Sequence, residues 1–267
     1  MLRSAPFIVA ASLLTVTSAQ AADPLFSPQP VASSGWIVTM KATIGVSPKW
    51  DGSDEMSLFG YPSFSFRRPG APIRFSAPDD GVGIAIFDSD IFRVGPVLRY
   101  RGGRYTGQDA RMFGLSDLRW SLEPGLFMEF FPTDWLRGRV EMRRGFNGHE
   151  GFVGSAGLDV YGRAGAFTLS GGPRVEFGDA NFTGDVYGVT FAEAFNNAFV
   201  TAYSPKAGVT AVGAAAALTY KIDEAWSTTV FGGYRRLVGP AADSPIVKRF
   251  GTENQFNLGL SVSYSFH

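Results

Sequence analysis

The sequence offers few residues that could serve as a catalytic base. It holds only two histidines, His149 in the Gly148-His149-Glu150 turn and the terminal His267. Nucleophilic catalysis needs a base beside a nucleophile, and no serine lies close to His149 in the sequence. We therefore interpret His149 as a solvent-exposed turn residue. The sequence predicts no catalytic residue, no cofactor and no enzymatic activity.

Acidic residues in two predicted outer loops are the candidates for a metal site. Asp51, Asp54 and Glu55 lie in one loop, and Asp79 and Asp80 lie in another. Carboxylate oxygens are ligands for divalent cations, but the spacing does not match a calcium loop. We therefore predict solvated acidic side chains and no metal site, with a weak cation site at the cell surface as the alternative.

A larger set of charged residues occupies alternate positions of predicted strands, opposite to apolar residues. Charges at this density cannot face lipid, so we assign them to the lumen of a barrel. They could pair and fill the interior, or they could line a narrow water path with anion preference. Mixed signs on neighbouring strands favour pairing. The set comprises Arg93, Arg99, Arg119, Glu123, Glu129, Arg137, Arg139, Glu141, Arg143, Arg174, Glu176 and Arg235.

Alternation over long segments predicts the strands that carry these charges. In the last segment every second residue from Phe256 to Phe266 is apolar, and the residues between them are polar or glycine. This is the pattern of a transmembrane β-strand, with one face toward lipid and one toward the lumen. We predict strands at 35–46, 57–67, 71–77, 81–87, 91–101, 118–131, 135–145, 151–163, 167–178, 208–220, 226–237 and 254–266. The segments 71–77 and 81–87 are weak, and without them the count would be ten.

The even strand number places both termini at the periplasmic end and sorts the connections into short turns and longer outer loops. The stretch 179–207 is too long for a hairpin loop and could form helical turns near Phe191 to Phe195 or an ordered coil. Aromatic rings should collect at the membrane interface. We predict a periplasmic girdle of Trp36, Phe92, Trp135, Phe167, Trp226 and Phe266, which adjoin the periplasmic ends of strands.

The N-terminus predicts export. Arg3 precedes a short apolar run, and Ala19-Gln20-Ala21 forms a cleavage site, as in a secretory signal peptide. We therefore divide the chain into a signal peptide (1–21), a proline-containing periplasmic tail (22–34) and one all-β domain, a transmembrane antiparallel barrel (35–267). The absence of cysteine excludes disulfides and thiolate metal sites, and 24 basic against 24 acidic residues give no reason to expect a nucleic-acid partner.

Several strings resemble the MipA/OmpV family of outer-membrane proteins, also called MltA-interacting proteins. The most specific is Ala241-Ala242-Asp243-Ser244-Pro245-Ile246-Val247. The resemblance implies an outer-membrane barrel that in some members is a scaffold for a murein-remodelling complex and in others serves adhesion or osmotic response. It implies no catalytic residues. The other matching strings are Gly95-Pro96, Gly114-Leu115-Ser116-Asp117-Leu118, Trp135-Leu136-Arg137, Gly172-Pro173-Arg174, Tyr187-Gly188-Val189-Thr190 and Tyr234-Arg235-Arg236-Leu237.

Taken together, these features predict a non-enzymatic structural barrel of the Gram-negative outer membrane, in contact with outer-membrane lipid. From the resemblance we expect murein-processing proteins as partners. The alternatives are a small pore or passive diffusion channel, and a surface adhesion or osmotic-response protein. The polar lumen favours the pore, whereas the absence of any catalytic constellation argues against enzymes.

Overall fold

The computed structural model describes residues 37–67 and 74–266. The predicted signal peptide (1–21), the tail (22–34), Trp36, the predicted turn 68–70 and His267 lie outside these residues. No helix within the described ranges is long and apolar enough to cross a membrane.

The described residues form one antiparallel sheet of twelve strands. Its order is β2-β1-β12-β11-β10-β9-β8-β7-β6-β5-β3, and β4 also pairs with β5. The strands are β1 (Ile37–Pro48), β2 (Met56–Arg67), β3 (Val82–Gly83), β4 (Phe87–Asp88), β5 (Phe92–Arg101), β6 (Ser121–Thr133), β7 (Leu136–Arg144), β8 (Phe152–Ala164), β9 (Phe167–Gly178), β10 (Gly208–Lys221), β11 (Trp226–Leu237) and β12 (Asn254–Phe266).

The two faces of each strand differ as the alternation predicts. In β12, Leu260 is 40% exposed on the outer face, whereas the next residue, Ser261, is 3% exposed and faces the lumen. The first and last long strands pair, with Val38 opposite Phe266, so both ends of the described chain lie at the same end of the barrel. We call this the turn end, because short turns join β6 to β7 and β8 to β9 there, and the opposite end the loop end.

Ten predicted strands appear within three residues of their predicted bounds, and two do not. The described part of the segment 71–77 forms no strand, and 81–87 becomes the short β3 and β4. Residues 74–81, the inward segment, climb through the lumen instead. At the turn end the Arg74 guanidinium donates to the carbonyls of Ser89 (3.1 Å) and Asp90 (2.9 Å). Higher up, the backbone N–H of Gly81 donates to Glu141 (3.2 Å). The chain therefore rises once inside the barrel wall and returns through β3 and β4. The number of membrane crossings stays even.

Within the described ranges, four α-helices lie over the loop end, α1 (Ala180–Tyr187), α2 (Phe191–Asn196), α3 (Gly239–Ala242) and α4 (Pro245–Phe250). The prediction of helical turns near 191–195 is confirmed by α2, whereas α1, α3 and α4 had not been predicted. These helices share an apolar core with neighbouring loops and strand ends, which we call the cap core. It consists of Trp50, Met112, Leu115, Val153, Phe182, Val186, Tyr187, Val189, Val200, Ala211, Leu237, Ala241, Ile246, Val247 and Phe250.

Candidate functional site

Arg137 lies at the centre of the lumen network. Its side chain is fully buried and binds Glu129 (2.5 Å), Asp159 (2.8 Å) and Asp80 (2.6 Å). The strand register produces two of these contacts, because β7 lies between β6, which carries Glu129, and β8, where Asp159 stands opposite Arg137. The third carboxylate comes from the inward segment. A guanidinium has five N–H donors, which allows it to serve three carboxylates at once.

Glu141 accepts hydrogen bonds from arginines of two strands. Arg139, on the same strand, donates to it at 2.8 Å, and Arg99 of β5 donates at 3.2 Å. Arg143 also donates to Glu141. Because Glu141 in turn accepts from the N–H of Gly81, this carboxylate links the barrel wall to the inward segment.

A second group of ion pairs, nearer the loop end than those of Arg137 and Glu141, spans the lumen; we call it the upper tier. Arg101 of β5 binds Glu123 (2.6 Å), Asp51 (3.1 Å) and Glu176 (3.2 Å). Arg235 of β11 binds the same Asp51 and reaches Glu176 at 3.4 Å. The hydroxyl of Tyr187 donates to Asp51 at 2.6 Å. Since Asp51 lies in the β1–β2 loop and Tyr187 lies in α1, this tier ties the cap to the barrel wall.

The inward segment is anchored by Arg174 of β9. This guanidinium binds Asp79 (2.8 Å) and Asp159 (2.6 Å). Its path crosses Gly157, where a Cβ atom would lie 2.9 Å from Arg174 Cδ. Nearer the turn end, Phe75 stacks on Tyr161 with 4.4 Å between ring centroids. Ionic and aromatic contacts therefore hold the segment along its length.

Within the described residues, the lumen network balances eight arginines against eight interior carboxylates, and Arg93 also contacts the half-exposed Asp88 at the turn end. The low dielectric of a buried site makes an unpaired charge costly, so this balance is what allows so many charges inside the barrel. The arginines are Arg93, Arg99, Arg101, Arg137, Arg139, Arg143, Arg174 and Arg235, and the carboxylates are Asp51, Asp79, Asp80, Glu123, Glu129, Glu141, Asp159 and Glu176.

Eleven of the twelve residues assigned to the lumen from the sequence lie in this network. Arg119 is the exception. It precedes β6 and its side chain is exposed, so the strand starts later than predicted and the lumen assignment of Arg119 was wrong.

The interpretation of His149 as an exposed turn residue was also wrong. Its side chain is buried, Nε2 lies 3.0 Å from Glu123, and the ring packs edge-on against Phe182. The turn folds inward because its backbone N–H donates to the buried Ser121 hydroxyl (3.1 Å). No residue neighbouring His149 in the sequence signals this burial.

The predicted solvation of the acidic loops was wrong for three residues. Asp51, Asp79 and Asp80 lie in lumen ion pairs. In contrast, Glu55 pairs with Lys49 and Asp54 lies 3.7 Å from Arg111 nearer the surface. Across the described ranges no group of three histidine or acidic residues has the arrangement of a metal site.

Sequence reasoning missed five members of the network. Arg101 and Asp159 occupy lumen-facing positions of predicted strands, so the alternation could have identified them. Asp51, Asp79 and Asp80 had no such signal, because they reach the lumen through loop and inward-segment paths.

The described girdle residues all lie at the turn end. Trp135, Phe167, Trp226 and Phe266 are 43–54% exposed, and Phe92 is half-buried. Three rings have a partner on the neighbouring strand, Phe92 against Phe87, Phe167 against Tyr220 and Trp226 against Tyr264. Their position is that of an interfacial belt, and contact with lipid headgroups remains a prediction for them.

The cap contains a buried cation of its own. Arg104 donates to the carbonyl of Val186 at 2.7 Å and lies over the Trp50 ring. Burial lowers the pKa of Arg104 to about 10, although Glu193 and Asp117 act in the opposite direction. The guanidinium thus binds a backbone carbonyl of α1 and adds a polar tie to the apolar cap core.

The alternating faces, the antiparallel sheet and the charge-paired interior define a transmembrane β-barrel of the outer-membrane class, with an occupied lumen and a capped loop end. The family model of "MltA-interacting protein MipA" matches residues 42–266. The chain belongs to this family, and the protein resides in the outer membrane.

No curated protein matches the sequence. Solved structures with a similar chain path include the KdgM porin (12% identity, TM-score 0.40, 86% of this chain and 99% of that one). A second is the NanC porin (12% identity, TM-score 0.42, 87% and 100%). A third is an outer-membrane channel from Pseudomonas putida F1 (9% identity, TM-score 0.48, 87% and 96%).

Proposed function

We propose that the protein is a non-enzymatic structural barrel that holds a murein-processing partner at the periplasmic face of the outer membrane. The observation that carries the proposal is the occupied lumen. Eight arginines and eight carboxylates pair across it, and the cap core covers its loop end. An interior of this kind suits a rigid membrane anchor better than an open pore. The family description supplies the partner class.

The partner surface is proposed to include the tail 22–34. A stable interface buries about 800 Å² on each partner, and turns such as Asp134-Trp135 offer little area. Prolines favour extended backbone, so a proline-containing segment would lose little entropy on binding.

The experiment is deletion of residues 23–32 behind an intact signal peptide, followed by crosslinking in whole envelopes and purification of the barrel. We expect normal insertion but a severalfold lower recovery of murein-processing enzymes. The matched control is Phe195→Ser, at an exposed position of the cap, which should leave recovery unchanged. Equal recovery from correctly inserted deletion protein would contradict the role of the tail.

A second candidate, a small passive channel, is favoured by a cavity of about 100 Å³ beside the inward segment. Planar bilayers distinguish the two functions. The structural barrel should insert without appreciable ion current, whereas the channel should give steady current from the wild-type protein.

A further inference from the structure

One part of the lumen differs from the ion-pair network. In the half of the lumen toward the turn end, β1, β12, β11 and β10 present hydroxyl groups in matching register. Thr43 stands opposite Ser261, Ser261 opposite Thr229, and Thr229 opposite Thr219. We call Thr43, Ser261, Thr229, Thr219 and the adjacent Ser263 the hydroxyl wall.

Lys41 stands within this wall, opposite Ser263. A cavity of about 100 Å³ lies between Lys41, every residue of the wall except Thr43, and the inward segment, which contributes Phe75, Ser76 and Pro78. A single water molecule needs about 10–15 Å³ of such space, counted as the volume open to its centre. The cavity therefore has room for several waters, or for a small ion with part of its hydration shell.

The Lys41 ammonium has no hydrogen-bond partner and no carboxylate within ion-pair distance among the described residues. Every arginine of the lumen network has such a partner, and the network itself is balanced. The positive charge of Lys41 is therefore not compensated by a direct contact, and a charge in a low-dielectric site attracts an opposite charge more strongly than it would in water.

The hydroxyl wall can supply the remaining ligands of an anion. The hydroxyl oxygens of Thr43 and Ser261 lie 3.0 Å apart, and those of Thr219 and Thr229 lie 2.8 Å apart. In each pair only one O–H is needed for the mutual bond, so the other can point into the cavity, because a hydroxyl rotates freely and carries one donor. Neutral donors around a single ammonium form a site that favours anions over cations.

We propose that Lys41 and the hydroxyl wall bind a small monovalent inorganic anion of the size of chloride. The lining contains no carboxylate, which would repel such an ion, and Asp80, which acts electrostatically on Lys41, is already bound to Arg137. Binding does not require that the lumen conducts, so the site is independent of the structural role proposed above.

The test uses full-length mature protein folded in detergent and bromide as the probe. The thermal-unfolding midpoint should rise as sodium bromide replaces sodium gluconate at constant ionic strength. Lys41→Gln, which removes the charge at similar length, should abolish most of this rise. Lys248→Gln removes an exposed lysine of the cap and should retain it. An equal rise in the wild type and Lys41→Gln, or none in the wild type, would overturn the proposal.

Crystals soaked in bromide provide a second readout. The anomalous signal should show bromide within hydrogen-bond distance of the Lys41 ammonium in the wild type, with no peak there in Lys41→Gln. Bromide at the outer surface alone, an adventitious ion only, would contradict the site.

Discussion

At the scale of single residues, the lumen is stabilised by charges that have several partners each. Arg137 is fully buried and is bound by three carboxylates from β6, β8 and the inward segment. Removal of one member of a buried ion pair leaves an uncompensated charge, which costs more than the pair contributes. Because the network shares carboxylates, the loss of one arginine affects several strands.

Arg137→Ala should therefore destabilise the barrel by about 3–5 kcal/mol, since Glu129, Asp159 and Asp80 would share too few cations. The measurement is the urea midpoint of the gel shift between folded and unfolded protein. Arg119→Ala is the matched control, because Arg119 is exposed outside the strands. A similar midpoint for the two variants would contradict the importance of the network.

At the scale of strands, stability depends on which side chains face lipid. Leu260 is the seventh of the thirteen residues of β12 and lies on the outer face. Arginine near the bilayer midplane of a barrel costs about 2–4 kcal/mol.

Leu260→Arg should lower the free energy of unfolding in lipid vesicles by about 2–4 kcal/mol, whereas Leu260→Val should change it little. Equilibrium urea titrations of both variants provide the measurement. If the two variants were equally stable, the inside and outside faces of β12 would be wrongly assigned.

At the scale of helices, α2 depends on a capping box. The Thr190 hydroxyl accepts from the N–H of Glu193 (3.2 Å), and Glu193 accepts from the N–H groups of Thr190 and Ser116, both at 2.8 Å. Although burial acts against the charged form, the N–H groups of Thr190 and Ser116 hold the pKa of Glu193 below its usual range. The Glu193 carboxylate therefore stabilises the N-terminus of α2 at pH values above its usual pKa. This stabilisation is lost as the pH falls through the lowered pKa.

Glu193→Gln keeps a hydrogen-bond acceptor but removes the charge, and should weaken the local fold of α2 by about 0.3–1 kcal/mol at neutral pH, the size of a charge interaction at a helix N-terminus. Protection of the α2 amides in hydrogen exchange provides the measurement. The difference between wild type and variant should shrink as the pH falls through the lowered pKa of Glu193. A difference that is independent of pH would show that the charge is not responsible.

At the scale of the whole molecule, the barrel and the cap are stabilised by different forces. Strand ladders and ion pairs hold the barrel, whereas the cap depends on an apolar core. Ile246 and Val247 of α4 are each 1% exposed in that core, and Ser244 beside them donates to the carbonyl of Tyr187 at 2.7 Å. The two parts should therefore be separable by mutation.

Ile246→Asp should disrupt the cap core and leave the barrel folded, because it places a carboxylate in an apolar site. The variant should still migrate faster unheated than boiled, while loop-end residues become accessible to protease. Leu218→Asp on the outer face of β10 is the contrasting control and should impair barrel insertion itself. Loss of the folded gel band in Ile246→Asp would show that the cap and barrel do not fold separately.

Local patterns in the sequence determined the strands and most of the lumen network. Alternation with a period of two assigns each residue of a long strand to a face, and charges cannot remain on the lipid face. For this reason β12 and residues such as Arg137, Glu129 and Glu141 were predicted from the sequence alone.

Only the tertiary structure decided which segments left the wall and what covered the loop end. Residues 74–77 have the composition of a short strand, yet they lie in the lumen. The reason is that Asp79 and Asp80, which follow them, form ion pairs there with Arg174 and Arg137. His149 is buried, and Asp51 largely buried, through contacts with residues far away in the sequence, Glu123 and Arg235. Such contacts have no local period, because their energy comes from partners that only the folded barrel brings together.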